Sequence, residues 1–133
     1  MKIFRLSEPR HGWIDVTIGE LPDACTLTVS DVPNDCLRDL AAAVSCLLRH
    51  STRETVEFSL EPEFARCELH REMDSVRVVV TQPGDDDPAF AATFPLHAFA
   101  QRVRFELLRI RTRYSADDGW TQPFPEQEVA NLG

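Results

Sequence analysis

The stretch TVEFSLEPEFARCELHREMDSVRVVVTQ, residues 55–82, decides the fold. Within it Val56, Phe58 and Leu60 alternate with polar residues, as do Cys67 with Leu69 and then Val76, Val78 and Val80. A period of two marks a strand with one buried face. The three runs predict strands over 55–61, 65–72 and 75–82, joined through Pro62-Glu63-Phe64 and Met73-Asp74. Connections this short join antiparallel neighbours only, since a parallel pair needs a long crossover. The three strands therefore form a meander with an apolar face and a polar face.

Downstream, Pro83-Gly84-Asp85-Asp86-Asp87-Pro88 is loop chemistry, and a short strand is expected over 89–93. Leu96, Phe99, Ala100, Val103, Leu107, Ile110 and Tyr114 then recur at helical spacing and predict a helix over 95–114, stopped by Asp117-Asp118-Gly119. From Trp120 onward, with Pro123 and Pro125, no period remains, so residues 121–133 are expected to be an extended, mobile tail. Upstream, alternation over 13–19 and 25–30 predicts a hairpin. Leu37, Leu40, Ala41, Val44, Leu47 and Leu48 then form one stripe of a helix over 33–49. Pro33 suits its first position, and Asp31 and Asp35 suit the positive end of its dipole. The expectation is a single α+β domain over 1–120. It is an antiparallel five- to six-stranded meander sheet with two helices, in the order β-β-α-β-β-β-(β)-α.

The chain has 133 residues, the size of one domain, and 43% hydrophobic with 27% charged residues suits a folded chain. Twenty-two acidic against 14 basic residues give a net charge of −8, which excludes general affinity for nucleic acid or an anionic membrane. No apolar run is long enough to span a bilayer, and residues 1–12 lack the apolar core of a secretory signal. Cys25, Cys36, Cys46 and Cys67 contain no C-x-x-C pair, and the expected setting is the cytoplasm, with the thiols reduced.

The glycines are too scattered for a phosphate-cradling loop, and neither G-x-S-x-G nor H-E-x-x-H occurs. Cys46 and His50 stand at i, i+4 on the first helix, but no further ligand pair lies near them. Cys67 and His70 point to opposite strand faces, so neither metal nor cofactor is expected. A two-residue loop at Met73-Asp74 pairs His70 with Arg77, and a four-residue loop over 62–65 pairs Glu57 with His70. Glu57, His70 and Arg77 then share one row. A Glu–His pair is capable of general acid–base work, and the same row also serves as a solvated set of cross-strand charges.

Two other surfaces stand out. Glu57, Glu61, Glu63, Glu68, Asp85, Asp86 and Asp87 form an acidic set on strands and loops, suited to a basic protein partner. The second helix instead carries Arg102, Arg104, Arg109, Arg111 and Arg113 against Glu106 alone, with Arg102 and Glu106 spaced to pair. Phe105 and Leu108 lie beside its apolar stripe. They either widen its contact with a twisted sheet or form an association patch for a homodimer.

Gly12-Trp13 with its alternating strands, Ser30-Asp31-Val32-Pro33-Asn34-Asp35 opening a leucine-rich helix, and the Glu-Pro pair that closes residues 58–62 together carry a resemblance. This stretch, residues 12–80, resembles small uncharacterised bacterial α+β proteins, some of which are cognate immunity proteins of bacterial toxin systems. The resemblance implies a non-catalytic, acidic intracellular protein that recognises a protein partner, and it carries over no catalytic residue. The alternatives are a small-molecule-binding domain or small enzyme using the Glu57, His70, Arg77 row, and a self-associating structural protein.

Overall fold

The computed structural model describes residues 3–133, with Met1 and Lys2 outside the described residues. Its elements are β1 (Phe4–Leu6), β2 (Trp13–Ile18), β3 (Cys25–Ser30), α1 (Cys36–Arg49), β4 (Arg53–Ser59), β5 (Phe64–Glu72), β6 (Ser75–Thr81), β7 (Phe90–Pro95), α2 (Leu96–Arg109), α3 (Arg111–Tyr114) and α4 (Glu126–Ala130). The class is α+β, as expected, but the strands form two antiparallel sheets rather than one meander. One sheet has the order β1-β2-β3 and the other β4-β5-β6-β7. Side chains, not a ladder, close the seam between β3 and β4. Ser59 Oγ donates to the Val32 carbonyl at 2.5 Å, and Asn34 Nδ2 donates to the Glu57 carbonyl at 3.0 Å.

The apolar faces deduced from alternation are the buried ones. Val56, Phe58, Leu69 and Val78 meet Leu40 of α1 in a single core that also takes in the first sheet. Leu60 is only partly buried, because β4 ends at Ser59 and Leu60 belongs to the turn. Pro33 is not in α1, which begins later, with Asp35 as its N-cap accepting from the Arg38 N–H at 3.2 Å. The second predicted helix is broken at Ile110 into α2 and α3.

The tail is a further correction. Residues 126–130 are helical rather than extended, and Val129 and Leu132 are buried. Trp120 is fully buried beside Tyr114, their ring centroids 6.2 Å apart. Arg49 Nη2 and Gln101 Nε2 hold the last carbonyls, of Asn131 and Leu132, at 2.9 and 3.2 Å. Gly119 has no room for a side chain, since a Cβ there would stand 1.9 Å from the Arg113 carbonyl oxygen.

The short strand β1 is secured by α2. Its outward N–H at Leu6 donates to Glu106 Oε1 at 2.8 Å, and its carbonyl accepts from Arg109 Nη2 at 2.5 Å. Two helical side chains thus take the place of a neighbouring strand and close the sheet edge.

Candidate functional site

The β5–β6 connection is the two-residue turn at Met73-Asp74, and it pairs His70 with Arg77 as the sequence suggests. The β4–β5 turn differs. It spans residues 60–63, closed by Leu60 N–H on the Glu63 carbonyl at 2.7 Å. Glu57 therefore faces Arg66, and His70 faces Arg53. The slip is an even number of residues, which preserves the buried face and moves every row. The row beside His70 is Arg53, His70, Arg77 and Thr93, so the Glu57, His70, Arg77 set does not assemble. The carboxylate that does reach His70 is Glu68, 3.5 Å from its Nε2. Arg53 and Arg66 stand 3.7 and 3.6 Å from the same group. Glu68 is thereby removed from the acidic set. The outer face of this sheet carries a mixed charge network.

Most of the remaining acidic residues lie in two connections. Antiparallel hairpins put the β4–β5 turn and the β6–β7 loop at the same end of the sheet. Glu61 and Glu63 in the turn and Asp85, Asp86 and Asp87 in the loop are all exposed. Beside this end runs a groove of about 670 Å³ between α1 and β4. Ala42, Ala43, Cys46, Phe64 and Pro33 give it apolar walls, Asp39, Glu54 and Glu57 line it, and no arginine among the described residues does. A shallower cleft at Val32, Pro62 and Glu61 shares Pro33 and Phe64 with it.

The groove also borders an open strand edge. Thr52 O and Leu60 N bond toward the β5 side, so the odd-numbered residues of β4 direct their backbone outward. Ser51 Oγ satisfies Arg53, and Asn34 takes the Glu57 carbonyl. Thr55 N–H and C=O are left without a partner among the described residues. Asp39 and Glu54 were missed from sequence. Asp39 lies on the polar side of α1 and Glu54 just ahead of the predicted strand, and only the packing of α1 beside β4 brings them together.

A second polar cluster is internal. Asp35 lies 2.9 and 3.0 Å from the Tyr114 hydroxyl and accepts from Trp120 Nε1 at 2.9 Å. Burial pushes the Asp35 carboxyl above the usual range although three donors oppose the shift, and it keeps the Tyr114 hydroxyl protonated. Asp31, buried, accepts from Thr121 Oγ1, and a Cβ at Gly12 would meet its Oδ1 at 2.9 Å. These groups lock the β1–β2 loop, the start of α1 and the chain after α3 into one joint, which is a structural task.

Of the association patch, Leu108 packs against the core, while Phe105 is 53% exposed beneath the Arg102 guanidinium, 4.8 Å from the ring centroid. Arg102 pairs with Glu106 at 3.7 Å, as the spacing predicts. All four cysteines are free. Burial pushes Cys67 up to about 12 and raises Cys25 and Cys36, so these three are poor nucleophiles. No group of three or more His, Cys, Asp or Glu side chains among the described residues is placed to hold a metal ion. No helix among them is long and apolar enough to cross a membrane. Comparison with family models, curated proteins and solved structures returned no match, so the chain's function has to be argued from its own residues.

Proposed function

We propose that this is a non-catalytic binding protein that grips a basic protein partner, in the manner of an immunity or antitoxin-like inhibitor. Its docking surface is the α1/β4 groove together with the acidic end of the second sheet. The observation that carries this reading is the groove itself: apolar walls, three carboxylates, no arginine among the described lining residues, and the outward-facing backbone of Thr55 at its side. Interfaces combine a desolvated apolar centre with a polar rim, and acidic rims speed the capture of basic partners. The free backbone groups of Thr55 offer main-chain hydrogen bonds to an extended segment of that partner.

The test is affinity capture from the native cell, with wild-type protein and the double variant Glu57→Lys/Glu61→Lys as parallel baits. Both residues are exposed and neither makes a side-chain ion pair, so the variant is expected to fold as the wild type does. One basic protein, retained by the wild type and lost from the variant, is the expected result. Equal retention by both baits, or no retained protein, contradicts the reading.

A further inference from the structure

The outer face of the first sheet carries a feature opposite in sign to the acidic groove. Arg5, Thr17 and Thr26 are directly opposed across β1, β2 and β3, so their side chains form one row on that face. Because α2 lies along the β1 edge, Arg102 and Arg109 rise beside this row. Together they line a pocket of about 460 Å³ that shares no residue with the groove.

The donors here are incompletely used. Arg109 is committed to Glu106, at 3.1 Å, and to the Leu6 carbonyl. Arg102 touches Glu106 at 3.7 Å, but its Nε is buried without a partner. The Arg5 side chain makes no hydrogen bond or ion pair among the described residues, and its Nε is likewise buried and unpartnered. A buried donor with no acceptor is costly, so an anion that draws the Arg5 or Arg102 guanidinium into the pocket relieves that cost at its Nε. Three carboxylates stand nearby, and each is engaged: Glu8 lies 3.7 Å from Arg109 Nη1. Glu106 takes the Leu6 N–H as well as both arginines, and Asp15 accepts from Thr28 Oγ1 at 2.7 Å. Thr17 Oγ1 and Thr26 Oγ1 lie 3.0 Å apart, so when one donates to the other the second hydroxyl hydrogen remains to be given.

From this geometry we infer that the pocket is a binding site for the phosphate group of a small phosphorylated molecule. Guanidinium forks and a hydroxyl approaching from the sheet floor and the helix wall suit a tetrahedral oxyanion better than a planar one. Phe105, half exposed beside Arg102, offers an apolar surface to the body of the ligand. Glu106 is a positioning residue, holding both helical arginines against β1.

The probe is phenyl phosphate, with inorganic phosphate, benzoate and sodium chloride at matched ionic strength as comparison arms. Binding is followed by NMR on the arginine Nε–H resonances and by calorimetry. Phenyl phosphate should shift the Arg5 and Arg102 Nε–H signals together. Arg5→Gln should weaken binding about tenfold or more, since a charge-assisted contact is lost. Because Arg5 has no partner to lose, that variant should unfold at the same temperature as the wild type or higher. Inorganic phosphate should shift the same signals more weakly. Three results would overturn the assignment: chloride shifts equal to those of phenyl phosphate, benzoate binding tighter than phenyl phosphate, or undiminished affinity in Arg5→Gln.

Discussion

Replacing Phe58 with alanine is expected to lower the unfolding free energy by about 3–5 kcal/mol. The ring is fully buried in the core on the covered face of β4, so its removal takes apolar area from the core and leaves a cavity. It sits at the seam of the two sheets, since its neighbour Ser59 bonds the loop that leaves β3. A rigid, close-packed interior collapses only partly around such a void. Urea denaturation of the variant checks this. A loss under about 1 kcal/mol would mean that Phe58 does not bridge sheet and helix.

The second large effect is expected at Asp35. Asp35→Ala removes the N-cap of α1 and strips the acceptor from the Tyr114 hydroxyl and Trp120 Nε1, for a combined loss of about 2–4 kcal/mol. Asp35→Asn keeps an acceptor oxygen and should cost much less. The two variants also separate a pH effect. The folded-state pKa of Asp35 is raised, so the folded protein binds this proton more tightly than the unfolded chain does. The resulting stability is fully present below the ordinary carboxylate pKa and is lost as pH rises through the raised value. The stability of the wild type relative to Asp35→Asn should therefore decline across that window and be level above it. A difference that grows with pH would contradict the assignment of burial as the dominant cause.

Alternation and helical spacing were enough to read most elements, because those signals are local. Val56 and Phe58, Leu69, and Val76, Val78 and Val80 could face only one way once their polar neighbours were solvated. Strand order is not local. Nothing in residues 31–35 announces that Asn34 Nδ2 takes the Glu57 carbonyl and that the Val32 carbonyl accepts from Ser59 Oγ, where a ladder between β3 and β4 would continue one sheet. The three-residue strand β1 is too short to show a period, and its partner on the open edge is a Glu–Arg pair 100 residues away. The helix in the tail has no local signal, because the buried residues there, Trp120, Val129 and Leu132, are too widely spaced to form a stripe. Trp120 packs beside Tyr114 of α3, and α4 packs on α1 and α2.

The site was legible in part for the same reason. Loop acidity is visible in composition, so the exposure of Glu61, Glu63, Asp85, Asp86 and Asp87 is legible in the sequence. The Glu57, His70, Arg77 row failed on a turn placed two residues late, which shifted the pairing by four positions while preserving the face. Glu68 was chosen on charge alone, and its neutralisation by Arg53, Arg66 and His70 depends on cross-strand geometry. Arg5 gave no signal, since an isolated arginine near a terminus acquires meaning only from the pocket around it.

Capture of a basic partner by the groove and the acidic end of the second sheet is read most directly from the association rate with that partner, measured by stopped flow as salt is raised. The rate should fall steeply, because steering is screened beyond roughly 8–10 Å at physiological ionic strength. With Glu57→Lys/Glu61→Lys the rate should be slower and its salt dependence flatter, at unchanged thermal stability. An association rate indifferent to salt and to both substitutions would contradict the account.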